Sequence, residues 1–189
     1  MAADPQQLAR GVRGVVLDVD GVLTDGRLAY GPDGETTKTF DVRDGLGIRL
    51  LQQAGIRVAI LSSRRSAAVD VRGRELGIDP VLQGRADKRA GLREILSAWN
   101  LDATQCAMVG DDWPDLAPFA QVGLAATVAD ADDAVRAAAH WCARAGGGRG
   151  AVREFAHFVL AAQGRLEDLL ARARAGGVAP IEPQAGPHA

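Results

Sequence analysis

Short apolar runs alternate with amphipathic segments along most of this chain. The runs predicted to be buried strands cover residues 12–17, 58–61, 81–82, 106–109, 123–125 and 140–142. Apolar residues at helical spacing predict helices over residues 45–54, 66–76, 88–99, 114–120, 131–139 and 152–173. Strands that alternate with helices of this length form right-handed βαβ units. The pattern therefore predicts a Rossmann-like α/β fold, with a mainly parallel sheet and helices on both faces.

Residues 27–40 carry a different pattern, in which two alternating runs flank a turn sequence. The runs are RLAY and ETTKTF, and Gly31-Pro32-Asp33-Gly34 lies between them. Such a turn between alternating runs is typical of a β-hairpin. We therefore expect a small hairpin insertion over about residues 26–40 within one domain, residues 1–175. Residues 1–11 are polar and expected to fray, and residues 176–189 form a Gly/Pro-rich tail.

Composition and charge exclude several classes of protein. The 189 residues include 22 basic and 24 acidic side chains, so the net charge of −2 argues against a nucleic-acid or polybasic membrane binder. No apolar run approaches the roughly 20 residues that span a bilayer, and the first residues show no secretory h-region. Cys106 and Cys142 each lie alone in apolar stretches, which suits reduced thiols. We expect a cytoplasmic protein.

Polar side chains follow the predicted strands at the points where these strands end. Asp18 and Asp20 follow the first strand, and Ser62 follows the second. Lys88 comes after the third strand, and Asp111 with Asp112 follow the fourth. Ligands of parallel sheets bind beyond the carboxyl ends of the strands, so we expect these side chains to share one site.

The residue types at these strand ends are those that phosphoryl transfer requires. Four carboxylates would repel one another without a cation, and hard oxygen ligands suit Mg²⁺. Ser62 and Lys88 add a hydroxyl and a positive charge for phosphate oxygens. Lys88 is one of only two lysines, the other being Lys38. An isolated acidic pair or serine is more often a turn or helix cap, but the coincidence at four strand ends favours a catalytic site.

These motifs resemble those of a known superfamily. Asp18-Val19-Asp20-Gly21-Val22-Leu23-Thr24 is similar to the first motif of the haloacid dehalogenase superfamily of phosphatases. Ser62, Lys88 and Gly110-Asp111-Asp112-x-x-Asp115 resemble its second, third and fourth motifs, in the same order. Further segments are similar to the capless branch that hydrolyses 3-deoxy-D-manno-octulosonate 8-phosphate: Phe40-Asp41-Val42-Arg43-Asp44-Gly45, Ser63-Arg64, Gln83-Gly84 and Gly147-Gly148-Arg149-Gly150-Ala151-Val152-Arg153-Glu154.

The resemblance covers about residues 12–165 and implies a reaction and an assembly. It implies Mg²⁺-dependent hydrolysis of a phosphorylated sugar acid in lipopolysaccharide precursor synthesis. It also implies no cap domain, because only the hairpin lies between the first and second motifs. The family solution is a homotetramer whose hairpins pack together, so that each subunit shields its neighbour's site.

Roles of individual residues follow from the same resemblance. Asp18 would be the nucleophile that forms an aspartyl-phosphate, and it would also bind Mg²⁺. Asp20 would protonate the leaving group, then activate water, while its backbone carbonyl ligates the metal. Asp111 would be the other carboxylate ligand.

The remaining motif positions are implied to hold the substrate or support the site. Ser62 and Lys88 would hold the phosphate, and Asp112 and Asp115 would orient waters or position Lys88. The positions that match substrate contacts of the family are Asp41, Val42, Arg43, Asp44, Gly45, Arg49, Arg64 and Arg72, beside Asp20 and Lys88. His140, His157 and His188 show no ligand spacing.

Three other functions compete with this interpretation. A phosphatase for a nine-carbon sugar-acid 9-phosphate shares all four motifs and stays open. A catalytically silent oligomerisation domain is less consistent with a complete set of catalytic side chains. A phosphorelay receiver domain places its acidic pair and its phospho-acceptor in a different strand order. One departure from the family is Ser63, which stands where a glycine is usual and is expected to shift its loop.

Overall fold

The computed structural model describes residues 4–32 and 34–177, and a six-stranded sheet lies at its centre. The strands of this sheet are β1 (Gly14–Leu17), β4 (Arg57–Leu61), β5 (Val81–Leu82), β6 (Cys106–Gly110), β7 (Leu124–Thr127) and β8 (Trp141–Cys142). Their order is β5-β4-β1-β6-β7-β8, and every neighbouring pair is parallel. The predicted Rossmann-like α/β fold is confirmed.

Helices cover the sheet on both faces. They are α1 (Pro5–Arg10), α2 (Val42–Gln53), α3 (Ala67–Leu76), α4 (Lys88–Trp99), α5 (Leu116–Phe119), α6 (Asp133–Ala138), α7 (Ala151–Ala162) and α8 (Leu166–Arg174). The chain moves from β1 through β4 to β5, then crosses to β6 and moves the other way. Right-handed crossovers therefore place α2 and α3 on one face and α4 to α6 on the other. Among the described residues, no helix is both long and apolar enough to cross a membrane.

Strand β1 lies in the middle of the sheet and of the core. Its residues Val15, Val16 and Leu17 have no exposed surface, as expected for a strand covered on both faces. The strand pairs with β4 on one side and β6 on the other. The carboxyl ends of these three strands therefore lie side by side, which positions the residues that follow them.

Three predicted boundaries are wrong. Residues 5–10 form α1 instead of fraying, because Asp4 caps the helix and Ala9 is buried. The predicted helix over 152–173 is two helices, since Gly164 adopts φ +68° between α7 and α8. Helix α2 begins at Val42 rather than at residue 45, so Arg43 lies in its first turn instead of in a loop.

The predicted hairpin is present between β1 and α2. Strand β2 (Ala29–Gly31) pairs antiparallel with β3 (Gly34–Thr37), and the residues described between β1 and α2 form no further strand or helix. Tyr30 is 66% exposed, whereas Phe40 beyond the hairpin packs against the core with Arg72 over its ring. Asp33 of the predicted turn, and His188 with most of the predicted tail, lie outside the described residues.

Candidate active site

The carboxyl edge of the sheet brings the predicted residues together around one cavity. Asp18 follows β1, Ser62 follows β4 and Asp111 follows β6, while Lys88 is the first residue of α4. The cavity measures about 280 Å³. Its lining residues are Asp18, Asp20, Gly26, Leu28, Ser62, Ser63, Arg64, Lys88, Asp111, Asp112 and Pro114.

Lys88 is buried between two carboxylates. Its Nζ lies 2.8 Å from Oδ2 of Asp18 and 2.6 Å from Oδ1 of Asp115, and its side chain is 3% exposed. Burial by itself lowers the pKa of Lys88, but the neighbouring charges of Asp18 and Asp115 more than offset this and hold the pKa above its usual value. Lys88 is therefore a permanent positive charge beside Asp18.

The acidic residues form a group with the geometry of a cation site. Carboxylate oxygens of Asp18, Asp111 and Asp115 lie within 4.8 Å of one another. Both oxygens of Asp115 already have partners, since Oδ1 accepts from Lys88 and Oδ2 accepts from the backbone N–H of Asp111. Oδ1 of Asp111 is buried and has no hydrogen-bond partner. Asp18 and Asp111 therefore offer hard oxygen ligands of the kind that Mg²⁺ prefers.

Burial and mutual repulsion raise the pKa values of these acids. Burial raises the pKa of Asp18 to about 6, with Lys88 opposing and Asp115 adding to the shift. Burial, followed by the charges of Asp18 and Asp115, raises the pKa of Asp111 to about 8. Without a cation the folded protein therefore holds protons here that a solvated carboxylate would release near pH 4.

We expect the metal-free protein to lose stability as pH rises from about 4 to about 8. In that range the folded state binds more protons than the unfolded chain, because both folded pKa values are raised, so the free energy of unfolding falls with pH. Mg²⁺ should remove this loss by binding the ionised acids. Thermal melting in EDTA and in Mg²⁺, at pH 5 and at pH 8, measures this loss of stability and its recovery by Mg²⁺. A Mg²⁺ stabilisation no larger at pH 8 than at pH 5 would contradict it.

Close backbone approaches shape the loop that carries the first motif. Gly21 adopts φ +90°, and a Cβ there would lie 1.9 Å from Oδ2 of Asp111. A Cβ on Gly147 would lie 1.8 Å from the carbonyl oxygen of Gly21. Thr24 is buried, and its hydroxyl donates to the carbonyl of Val19 while accepting from the N–H of Gly21. Glycine at these positions is therefore a steric requirement of the site.

Asp20 is held by two cations, one of which the sequence interpretation did not assign to the site. Lys38, directly after β3, forms an ion pair with Oδ1 of Asp20, and its side chain is 2% exposed. Nε of Arg64 lies 3.7 Å from Oδ2 of Asp20, and Nη2 of Arg64 donates to the Tyr30 hydroxyl at 3.4 Å. The sequence carried one signal for Lys38, which is the scarcity of lysine, because Lys38 and Lys88 are the only two lysines in the chain.

The loop after β4 is fixed by contacts with the segment after β5. Oγ of Ser62 accepts from the N–H of Arg64 at 3.2 Å. Gln83 accepts from the N–H of Ser66 and donates to its carbonyl. The glutamine of the Gln-Gly motif therefore holds this loop in place. Within residues 4–32 and 34–177, Asn100 is the one non-glycine residue with a positive φ. Ser63 therefore adopts a backbone conformation that does not require glycine.

Several residues predicted to contact substrate lie elsewhere in this single chain. Arg49 lines a separate cavity at the start of β4. The others surround the start of α2 rather than lining the cavity: Asp41, Val42, Arg43, Gly45 and Arg72. In contrast, Asp112, which was predicted to support the site, lines the cavity, and its carboxylate accepts from the N–H of Trp113.

Asp44 has a structural contact that the sequence pattern did not reveal. Its side chain is 1% exposed, and its two oxygens accept from the backbone N–H groups of Gly150 and Arg153, at 3.2 and 2.9 Å. These N–H groups are at the beginning of α7. Asp44 therefore joins α2 to α7 through both of its carboxylate oxygens.

Comparisons with known proteins found relatives that cover most of this chain. The sequence profile of haloacid dehalogenase-like hydrolases matches residues 39–123. The 3-deoxy-D-manno-octulosonate 8-phosphate phosphatase of Yersinia pestis is 43% identical over 167 residues, which cover 88% of this chain and 89% of that protein.

Solved structures show the same likeness. The Moraxella catarrhalis 3-deoxy-D-manno-octulosonate 8-phosphate phosphatase, in complex with magnesium, phosphate and KDO, superposes with a TM-score of 0.87 at 37% identity, over 89% of this chain and 97% of that one. The cobalt-bound form of the Haemophilus influenzae phosphatase superposes with a TM-score of 0.83 at 41% identity, over 85% of this chain and 94% of that one. The likeness therefore extends over nearly whole chains.

Proposed function

The chain belongs to the 3-deoxy-D-manno-octulosonate 8-phosphate phosphatases of the haloacid dehalogenase-like hydrolases, and on that premise we propose that it hydrolyses this phosphate ester to the free sugar acid and phosphate. The protein is a Mg²⁺-dependent phosphoric monoester hydrolase. The observation that carries the proposal is the contact of Asp18 with Lys88, at 2.8 Å, beside the unpartnered oxygen of Asp111.

The reaction divides into two displacements at phosphorus. A carboxylate oxygen of Asp18 attacks the phosphoryl group and forms an aspartyl-phosphate, while the bond from phosphorus to the sugar oxygen breaks. Asp20 gives its proton to that leaving oxygen. Asp20 then takes a proton from the water that attacks the aspartyl-phosphate, which releases phosphate and restores Asp18.

Positive charge and hydrogen-bond donors stabilise the phosphoryl group as it transfers. Lys88 contributes a fixed charge because Asp115 and Asp18 hold its ammonium group in place. Ser62 adds a hydroxyl from the buried end of β4. Bound Mg²⁺ would be held by Asp18, Asp111 and the carbonyl of Asp20, and it offsets the negative charge of nucleophile and phosphate.

The residues around the start of α2 are proposed to complete the site of an adjacent subunit. The cavity of about 280 Å³ is slightly smaller than the roughly 300–1,000 Å³ of typical small-molecule sites. Val42 is 76% exposed and the side chain of Arg43 is 62% exposed, so both are accessible to a neighbouring cavity. Arg43 suits the carboxylate of a sugar acid.

This arrangement requires an oligomer, and we propose the homotetramer that the family resemblance implies. The exposed Leu28 and Tyr30 on the hairpin support packing between hairpins, since a two-stranded hairpin is marginal by itself. Light scattering should give four times the chain mass of 19.7 kDa. A monomer that is fully active would contradict both the tetramer and the shared site.

We propose the cytoplasm as the compartment and lipopolysaccharide precursor synthesis as the pathway. Cys106 and Cys142 are both free thiols, which suits a reducing environment. The substrate, a small phosphorylated acid, is also one that does not cross membranes unaided.

Phosphate release from the eight-carbon and nine-carbon sugar-acid phosphates tests the function. We expect Mg²⁺-dependent turnover with a clear preference for the eight-carbon ester, and loss of activity in EDTA that Mg²⁺ restores. Hydrolysis of the nine-carbon ester alone would keep the mechanism and reject the substrate. Release from neither ester, with Mg²⁺ still bound, would favour the silent oligomerisation domain.

A further inference from the structure

The ion pair between Lys38 and Asp20 joins the hairpin to the proposed acid/base of the reaction. Lys38 lies 18 residues after Asp20, directly beyond β3, and its ammonium group contacts Oδ1 of Asp20. The Lys38 side chain is 2% exposed and that of Asp20 is 19% exposed. The contact is therefore largely buried, and it involves a carboxylate that lines the cavity.

A buried lysine at the end of a short hairpin strand is costly unless its charge has a specific use. Taking an ammonium group out of water costs several kcal/mol, and a carboxylate partner repays this only when the geometry is good. The hairpin has exposed positions where a lysine would be fully solvated, such as the one held by Arg27, whose side chain is 84% exposed. Lys38 instead reaches the one carboxylate that must move a proton twice in each turnover.

The geometry leaves the second oxygen of Asp20 for chemistry. Oδ1 is occupied by Lys38, whereas Oδ2 has Arg64 at 3.7 Å, which is longer than a hydrogen bond. Asp20 lines the cavity together with Asp18, so its position decides how its oxygens meet the leaving group. A carboxylate that is free to rotate would spend less time in that orientation.

Resting on the function proposed above, we propose that Lys38 is a positioning residue for the acid/base Asp20, and that the hairpin takes part in the reaction through it. Lys38 fixes the rotamer of Asp20 by holding Oδ1, which directs Oδ2 to the sugar oxygen and then to water. Arg64 provides a second link, because it contacts both Asp20 and the Tyr30 hydroxyl of the hairpin.

The test compares a leaving group that needs a proton with one that does not. Single-turnover release of the alcohol is measured with excess enzyme for the sugar-acid phosphate and for 4-nitrophenyl phosphate, whose phenolate leaves without protonation. We expect Lys38→Met to slow the sugar ester by about 10²-fold and the aryl ester by less than about threefold. The ratio of the two rates does not depend on how much of the variant is folded. Arg27→Met, which removes an exposed hairpin cation that pairs with Asp25 instead of Asp20, should leave both rates unchanged.

A double-mutant cycle separates positioning of Asp20 from a general structural role. If Lys38 acts through Asp20, adding Lys38→Met to Asp20→Asn should slow the sugar ester by no more than about twofold further. Lys38→Arg, which keeps the charge, should recover most of the lost rate ratio. Equal losses for both esters, or additive losses in the cycle, would overturn the proposal.

The same measurements distinguish failure of this inference from failure of the proposed function. If the wild-type protein hydrolyses the aryl ester and another alkyl phosphate but not the sugar-acid phosphate, the substrate is wrong, and the alkyl-to-aryl ratio still tests Lys38. If the wild type hydrolyses the sugar ester and Lys38→Met does so equally well, the function stands and the role of Lys38 is rejected.

Discussion

Replacing Asp18 with asparagine should lower turnover of the sugar-acid phosphate by about 10⁴-fold or more, because the amide is not a nucleophile and no aspartyl-phosphate can form. The change keeps the size of the side chain, which lies at the end of the central strand β1. It also removes one carboxylate from the group that includes Asp111, so binding of Mg²⁺ should weaken as well.

Phosphate release and mass spectrometry of the acid-quenched protein measure this result. The wild type should carry a covalent phosphoryl group during turnover, and the Asp18→Asn protein should not. Asp25→Asn is the matched control, because Asp25 is an exposed acid of the same loop with no place in the cavity. More than about 1% of wild-type turnover in the Asp18 variant would mean that water attacks phosphorus directly.

Replacing Lys88 with methionine should damage both activity and stability. The variant would leave Asp18 and the fully buried Asp115 without their shared counter-charge. Breaking a buried ion pair from one side costs about 3–5 kcal/mol of unfolding free energy. The variant also loses the positive charge that would stabilise the phosphoryl oxygens. Turnover should therefore fall by about 10²–10³-fold, roughly the effect of losing one transition-state donor.

Denaturant unfolding and single-turnover rates measure the two effects separately. Arg89→Met is the control, because Arg89 is the adjacent helix residue and is exposed. Saturating Mg²⁺ should recover more stability in the Lys88 variant than in the wild type, since it supplies the missing positive charge. If the Lys88→Met protein is as stable as the wild type in EDTA, then Asp18 and Asp115 are protonated in the metal-free wild type instead of being ion-paired with Lys88.

The sequence predicted that the polar side chains at the strand ends share one site, and the structure places them around one cavity. Asp18, Ser62 and Asp111 each follow an apolar run, and the runs are short enough to be read as buried strands. Parallel strands end at the same edge of a sheet, so the three side chains meet whatever the details of packing. Lys88 was expected in the same site because it follows the third predicted strand, and the structure places it between Asp18 and Asp115.

The same reasoning does not reach residues whose neighbours are distant in the chain. Asp44 matches a substrate position of the family, yet in the structure it holds the N–H groups of Gly150 and Arg153, more than 100 residues later. The break of the last predicted helix depends on Gly164 alone, which a continuous amphipathic pattern hides. The contacts of Asp44 have no local signal, because polarity and periodicity describe only which side of an element is buried.

The sequence by itself determined the α/β fold, the reaction class and the acids at the strand ends, because hydrophobic periodicity and short motifs are local properties. Tertiary structure alone decided that Lys38 forms an ion pair with Asp20. Lys38 lies 18 residues after Asp20, beyond β2 and β3, and only the folding of this hairpin brings the two charges into contact. It also decided that the start of α2 lies outside the cavity, since the packing of α2 against α7 sets the direction in which Val42 and Arg43 point.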